Sequence, residues 1–182
     1  MRRNSGFTLI ELLVVITIIG ILAGLSFPAI TVALNAAKKA EANTMVNQLK
    51  IAMTSYQTEY GVWPNITGVN ETGFDAGLLF DLLQGEAGVA ENPRRIVFME
   101  FNSKSLRVAP ASSSNKVPAD PATADTFVDP WHQEYQMALD TNYDNEIADP
   151  SSGSTGAINA SILIWSLGKD GTFDPQKDPK SW

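Results

Sequence analysis

The chain has 182 residues, a formal net charge of −7 and no cysteine. The acidic balance argues against nucleic acid as the main partner, because phosphate backbones attract basic surfaces. The lack of cysteine excludes disulfide bonds and thiolate sites. We therefore expect the fold to depend on its hydrophobic core, on a long helix and on any metal ion that it binds.

An uncharged apolar segment, residues 12–37, follows a short basic leader. It is longer than the ~20 residues that a helix needs to cross a bilayer, where every backbone polar group must be satisfied internally. Arg2 and Arg3 precede the segment, which places the N-terminus in the cytoplasm by the positive-inside rule. Lys38 and Lys39 follow it and oppose this orientation, but the pattern indicates that they lie in the same helix.

One carboxylate, Glu11, lies in the apolar N-terminal region. A charged side chain at the centre of a bilayer costs about 2.5–3.5 kcal/mol on insertion scales and usually marks function. Cleavage after Gly6 would create an α-amino group on Phe7, which would neutralise Glu11 in the same chain or in a neighbour. The alternative is that Glu11 lies near the membrane interface, where its carboxylate reaches water.

The segment Gly6-Phe7-Thr8-Leu9-Ile10-Glu11-Leu12 resembles the type III signal of type IV pilins and type II secretion pseudopilins. The resemblance implies that prepilin peptidase cuts between Gly6 and Phe7 and that the new N-terminus is methylated. It also implies that Glu11 pairs with the N-terminus of a neighbouring subunit during assembly. A secretory signal peptide is disfavoured, because its apolar region is usually ~7–15 residues long and precedes the cleavage site.

The resemblance also implies a division of the chain and a fold class. Residues 1–6 are the cleaved leader, residues 7–34 are the membrane and filament-core half of the helix, and residues 35–182 are a periplasmic globular domain. Gly20 and Pro28 fall where the family has its helix-loosening glycine and proline. The expected fold is α+β, the pilin fold, with the long helix packed on a small antiparallel β-sheet.

The second half of the helix is predicted from its amphipathic pattern. Apolar residues recur at three- and four-residue spacing, which is typical of a helix that packs on a domain. The predicted stripe comprises Ala42, Met45, Val46, Leu49, Ala52, Met53, Tyr56 and Tyr60. Gly61 and Pro64 are expected to end a helix that begins at Thr8.

Short elements are predicted along the rest of the chain. Residues 76–84 indicate a helix with Leu78, Leu79, Leu82 and Leu83 facing inward. Strands are predicted over residues 96–101, with 105–109 as the pairing partner, and over 135–139 and 161–166. Residues 110–126 are expected to form an irregular loop. The alternating acids of residues 140–146 resemble the start of an EF-hand calcium loop, but Asn145 and Ser151 replace its required glycine and glutamate, which favours a polar hairpin turn.

The C-terminal part carries a second resemblance. Asp129-Pro130-Trp131 with Tyr135, and Trp165-Ser166-Leu167-Gly168-Lys169-Asp170-Gly171 ending in Trp182, are similar to the major pseudopilin of type II secretion. That family carries a calcium loop, which implies Ca²⁺ held by the Leu167 carbonyl, the Asp170 side chain and Asp178 or Asp174; the alternative is a solvated acidic tail. The chain departs from the family at His132, which replaces a glycine, and over residues 85–127, which are longer and differently composed.

We do not expect an enzyme. The chain has a single histidine, His132, no cysteine nucleophile, and neither a Gly-x-Ser-x-Gly motif nor a phosphate loop. Asp129 and His132 would form a catalytic dyad only if a serine lay beside them, and their spacing does not establish this.

The resemblance implies a structural subunit of a type II secretion pseudopilus. Its partners would be copies of itself, prepilin peptidase, minor pseudopilins, the inner-membrane assembly platform and inner-membrane lipid. One alternative is a type IV pilin or competence-type pseudopilin of a surface fibre for adhesion, motility or DNA uptake. Another is a plain membrane-anchored binding domain, which would need neither Gly6-Phe7 nor Glu11.

Overall fold

The computed structural model describes residues 8–66, 68–86, 88–107, 126–151 and 154–182, with residues 25–28 described by their backbone alone. The predicted cleavage pair, Gly6 and Phe7, lies outside the described residues. The chain divides into two compact units, Met1–Lys38 and Lys39–Trp182.

A single helix, α1, runs without interruption from Leu9 to Tyr60. Its bounds match the predicted helix to within one residue. An 18-residue window of α1 has a mean hydropathy of 2.5 and no buried residue, which makes α1 the one helix of the described chain that is long and apolar enough to cross a membrane. The helical backbone continues through Pro28, although proline supplies no N–H group there.

The predicted amphipathic stripe of α1 is confirmed. Each of its buried members has another buried member three or four residues away, and Met45 and Tyr60 are partly buried beside them. The buried members are Ala42, Val46, Leu49, Ala52, Met53 and Tyr56. The helix ends at Gly61, which has a φ of +77° and donates its N–H to the carbonyl of Gln57.

The described part of the chain after α1 contains seven short strands, and each pair that they form is antiparallel. The main sheet has the order β1-β4-β7, and β2–β3 and β5–β6 form two further pairs. The strands are β1 (Phe74–Asp75), β2 (Leu106–Arg107), β3 (Thr126–Phe127), β4 (Gln136–Leu139), β5 (Glu146–Ala148), β6 (Ala157–Asn159) and β7 (Ile162–Trp165). The predicted α+β class, with a long helix and a small antiparallel sheet, is confirmed.

The main sheet is covered on both faces. Successive residues of β4 and β7 alternate between two hydrophobic clusters, because side chains alternate across a strand. Met137 and Ile164 belong to the larger cluster, which contains the buried stripe of α1. Ala138, Leu163 and Trp165 belong to a smaller cluster with Ile147 and Phe173. This double burial explains why both strands are continuous apolar runs in the sequence.

The strand predicted over residues 96–101 is wrong. This segment has no regular secondary structure and joins no sheet, because the N–H groups of Phe98 and Met99 both donate to the carbonyl of Leu83. Leu83 lies in the last turn of helix α2 (Phe80–Gln84), where carbonyls have no partner within the helix. The pairing partner predicted for this strand is wrong as well, since Leu106 pairs with Phe127 instead.

The predicted helix over residues 76–84 divides into a 3₁₀ helix, Ala76–Leu79, followed by α2. Leu79, Leu82 and Leu83 are buried as predicted, but Leu78 is 47% exposed. The 3₁₀ geometry explains the difference, because residues three apart share a face, so that Ala76 and Leu79 point inward while Leu78 points away.

Residues 140–146 form a polar turn, but not a hairpin turn, because β4 and β5 belong to different sheets. The buried Asp140 carboxylate accepts the N–H groups of Asp144 and Asn145, and Asn145 has a φ of +62°. Of the loop predicted over residues 110–126, only Thr126 is described, and it begins β3.

A buried carboxylate, Asp129, fixes the turn that precedes β4. Its Oδ1 accepts the N–H groups of Trp131 and Gln133, each at 2.9 Å. Its Oδ2 accepts the hydroxyl of Ser166 at 2.6 Å, and the Ser166 oxygen in turn accepts the N–H of Gly168 at 2.9 Å. Burial raises the pKa of Asp129, and these hydrogen bonds oppose the rise. The turn before β4 is thereby joined to the loop after β7.

Replacing Asp129 by alanine is expected to destabilise the fold, because it leaves three donors without their acceptor: the buried hydroxyl of Ser166 and the partly buried N–H groups of Trp131 and Gln133. The loss should be roughly 1–3 kcal/mol for each buried group left unpaired. Asp129→Asn is the matched control, since it keeps an oxygen for Trp131 and Gln133. Urea denaturation of the detergent-solubilised chain, followed by tryptophan fluorescence, measures the difference.

The same two proteins, the parent and Asp129→Asn, should differ in their response to pH. Because burial raises the pKa of Asp129 in the folded state, the folded chain binds this proton more tightly than the unfolded chain does. The stability of the parent relative to Asp129→Asn should therefore increase as the pH falls from about 7 to about 4. A difference that stays constant or moves the other way would contradict a raised pKa.

Candidate functional site

The N-terminus of α1 holds the predicted assembly carboxylate in a capping box. Oε2 of Glu11 accepts the backbone N–H of Thr8 at 2.8 Å and its hydroxyl at 2.6 Å. In return, the N–H of Glu11 donates to Oγ1 of Thr8 at 3.3 Å. This reciprocal arrangement satisfies donors that a helix leaves unpaired at its first turn, and the positive end of the helix dipole favours the carboxylate.

Thr8 is a site residue that the sequence interpretation missed. The signal was present, because a threonine followed three residues later by a glutamate is the sequence signature of a capping box. Glu11 therefore has an acceptor role within its own helix, before any second chain is considered. Its predicted partner, the α-amino group of Phe7, lies outside the described residues, and that pairing stays a prediction.

The helix around Glu11 exposes a continuous apolar surface. Fourteen large apolar side chains between residues 9 and 34 are exposed, each with 46–87% of its surface accessible, among the side chains that the structure describes. They are Leu9, Ile10, Leu12, Leu13, Val14, Val15, Ile16, Ile18, Ile19, Ile21, Leu22, Ile30, Val32 and Leu34. So large an apolar surface requires lipid or other apolar chains around it.

The two predicted helix-loosening residues differ in what the structure shows. A Cβ atom at Gly20 would meet no atom within 4 Å, so no contact within the chain requires glycine there. The backbone at Pro28 is helical, and its side chain lies outside what the structure describes. The assembly roles of Gly20 and Pro28 stay predictions.

His132 occupies a strained backbone position. Its φ of +71° lies in the left-handed region, which explains why a glycine suits this place in the resembling family and why histidine is tolerated better than a branched residue. Its Nδ1 lies 2.8 Å from Nη2 of Arg107. Because a guanidinium only donates, Nδ1 is the acceptor. Burial lowers the pKa of Arg107, which is 3% exposed.

The possible Ser–His–Asp arrangement around Asp129 is not formed. The hydroxyl of Ser166 donates to the Asp129 carboxylate, whereas the His132 ring faces Arg107. The described hydrogen bonds of this carboxylate go to Trp131, Gln133 and Ser166, so they orient a turn and not an imidazole. This local geometry holds a structural turn.

The predicted calcium loop brings some of its residues together. Oδ2 of Asp178 accepts the N–H of Asp174 at 2.7 Å, and the Asp178 carboxylate lies so close to Gly168 that a Cβ atom there would overlap it. Gly168 has a φ of +66°, which also favours glycine. Asp178 thus lies beside the residue that follows Leu167.

The other predicted acids are engaged elsewhere. Asp174 forms an ion pair with Lys177 at 2.6 Å, and this contact lowers the pKa of Asp174 and raises that of Lys177. Oδ1 of Asp170 accepts the N–H of Thr172. Across the described ranges, no three acidic or histidine side chains lie close enough to hold a metal together. A calcium site here would use carbonyl oxygens beside one or two carboxylates, which calcium accepts.

Comparison with known proteins gives matches to pilins. Residues 1–27 match the family of the prokaryotic N-terminal methylation motif. The chain is 42% identical over 74 residues to the type IV major pilin protein PilE1 of Neisseria gonorrhoeae, which covers 40% of this chain and 35% of that protein. It is 44% identical over 61 residues to the fimbrial protein EcpC of Eikenella corrodens, covering 34% of this chain and 40% of that one.

A third relative is the type IV major pilin protein PilA of Myxococcus xanthus, which is 40% identical over 72 residues, or 40% of this chain and 32% of that protein. The chain thus spans well under half the length of these curated relatives. No solved structure matches it. The methylation motif, the exposed apolar helix and these relatives together make the N-terminal part of the chain similar to type IV pilins.

Proposed function

We propose that the chain is a structural subunit of a pilin-type fibre, anchored in a membrane and polymerised through α1. The observation that carries this proposal is the exposed apolar first half of α1, residues 9–37, in which Glu11 in the first turn is the one carboxylate of the sequence. The relatives named as major pilins and a fimbrial protein support the same conclusion. The names of these relatives support a structural role for the chain over a catalytic one.

In the fibre, Glu11 exchanges one set of donors for another. The capping box gives the carboxylate two donors from Thr8, but both of them are uncharged dipoles. A neighbouring subunit cleaved after Gly6 would offer the ammonium group of Phe7, and a charge-assisted contact is stronger than a neutral one in a low-dielectric surrounding. A subunit in the wrong axial register would leave that ammonium unpaired.

The finer proposal is a short secretion pseudopilus, not a surface fibre. It rests on the Asp129-Pro130-Trp131 turn, which joins the loop after β7 through Ser166. Prepilin peptidase would remove residues 1–6, and the inner-membrane platform and minor pseudopilins would assemble the mature subunit. In the native bacterium, deletion should abolish export of a secreted protein. Long external fibres lost on deletion, with export unchanged, would instead favour a type IV pilin.

The loop after β7 is proposed to hold Ca²⁺. Calcium would take the Leu167 carbonyl and the carboxylates of Asp170 and Asp178, which are hard oxygen ligands. Asp178 is favoured over Asp174, because Asp178 lies against Gly168 whereas Asp174 is paired with Lys177. When bound, the cation would offset the mutual repulsion of carboxylates in an acidic domain.

Replacing Glu11 tests the fibre proposal and separates charge from capping. Glu11→Gln keeps an oxygen for both Thr8 donors but removes the negative charge, so fibre yield should fall strongly while the chain still inserts into the membrane. Thr8→Val removes the hydroxyl but keeps the charge, so assembly should persist, with the helix terminus weakened by about 1 kcal/mol. Quantifying sheared fibres against total membrane-bound chain gives the result. Normal fibre yield from Glu11→Gln would overturn the charge-pairing role.

Calcium removal should lower the thermal stability of the detergent-solubilised chain. A ligand present at 100 times its dissociation constant stabilises by about 2.7 kcal/mol, and each kcal/mol shifts the melting temperature of a chain of this size by about 2–4 °C. Asp170→Ala and Asp178→Ala should abolish the response to chelator. Asp174→Asn is the control and should retain it. A parent whose melting temperature is the same with calcium and with chelator would contradict the calcium site.

A further inference from the structure

The C-terminal residues cover the outer edge of β7. Strand β7 pairs with β4 along one edge, and the four C-terminal residues, 179–182, lie along the other. The N–H of Ser166 donates to the carbonyl of Pro179, and the N–H of Ser181 donates to the carbonyl of Ile164, each at 3.0 Å. The N–H of Ile164 donates to Oγ of Ser181, also at 3.0 Å. We call residues 179–182 the C-terminal strap.

Two further contacts hold the strap in place. The ring of Trp182 meets that of Trp165 edge-on, with centroids 6.0 Å apart, and lies 5.7 Å from that of Phe173. On the helix side, Nζ of Lys50 donates to the carbonyl of Ser181 at 2.9 Å. The strap is therefore fastened to the sheet, to an aromatic cluster and to α1, although it forms only an isolated bridge with β7 and no strand of its own.

The edge beneath the strap has the properties of a self-pairing strand. Residues Ile162–Trp165 carry no charge, no glycine and no proline, and all four are buried. Such an edge, once uncovered, presents free N–H and C=O groups to any extended chain. Strand β7 already pairs in antiparallel fashion with β4, an apolar strand of equal length. A second copy of β7 would meet no like-charge repulsion, so it is the partner that this edge fits best.

We propose that the C-terminal strap is an edge cover that prevents β7 from adding the β7 strand of a second copy of this chain. Copies of the chain can still associate through surfaces other than the edge of β7. This inference concerns residues of the unit Lys39–Trp182 and holds whether or not the fibre function is correct.

The test compares the full chain in detergent with two variants that open the edge. One lacks residues 179–182, and the other, Ser181→Pro, keeps the length but removes the donor to Ile164 O and the acceptor of Ile164 N–H. At low protein concentration, the amides of Ile164 and Ser166 should exchange about tenfold faster with deuterium in the truncated chain, as should that of Ile164 in Ser181→Pro. As concentration rises, both variants should gain mass above the parent in sedimentation, and the exchange should slow again.

Lys50→Met is the matched control. It cuts the contact between α1 and the strap but leaves all three hydrogen bonds to β7, so its mass and its exchange at Ile164 should equal those of the parent. The parent itself sets the level of association that occurs through other surfaces. Parental exchange in both variants, or faster exchange without any gain in mass, would overturn the proposal. Loss of the fold in both variants would overturn it too, because the strap would then be part of the core and not a cover.

Discussion

The structure depends on how a single carboxylate is accommodated at the start of a long apolar helix. Glu11 takes two donors from Thr8, which caps the helix and satisfies the carboxylate within one chain. These donors carry no charge, so the capping box leaves a net negative charge among exposed apolar side chains. We propose that an ammonium group from another copy removes this charge in a fibre.

The second unit, Lys39–Trp182, is a small domain that must be stable without disulfide bonds. Its main sheet is buried on both faces, by the stripe of α1 on one side and by the smaller cluster around Trp165 and Phe173 on the other. Three devices then hold the irregular C-terminal region to this sheet. Asp129 binds Ser166, Asp178 packs against Gly168, and the C-terminal strap closes the edge of β7. Each of these three contacts joins segments that are at least ten residues apart in the sequence.

The sequence pattern predicted helix α1 and the strands β4 and β7. The structure of several shorter segments depends on contacts with residues far away in the sequence. The stripe of α1 was predictable because burial of one helix face imposes spacing on every turn, and the doubly buried strands β4 and β7 appear as continuous apolar runs. Residues 96–99 are as apolar as β7, but the carbonyl of Leu83 accepts the N–H groups of Phe98 and Met99. The exposure of Leu78 follows from a 3₁₀ turn that propensity does not reveal. The capping box of Thr8 and Glu11 had a readable local signature, and the assembly role of Glu11 stays a prediction. The contact of Asp129 with Ser166 and the edge covered by the strap join segments far apart in the sequence, so no local pattern predicts them.

We propose that the charge of Glu11 is matched by an α-amino group that exists only after cleavage. The intact mass and N-terminal sequence of the protein, purified from its native membrane or fibre, are the measurements that decide whether this group exists. We expect a chain that begins at Phe7 with a methylated amine. A mature chain that still begins at Met1 would contradict it, because no ammonium group would then be available one residue before Thr8 to pair with the carboxylate of a neighbour.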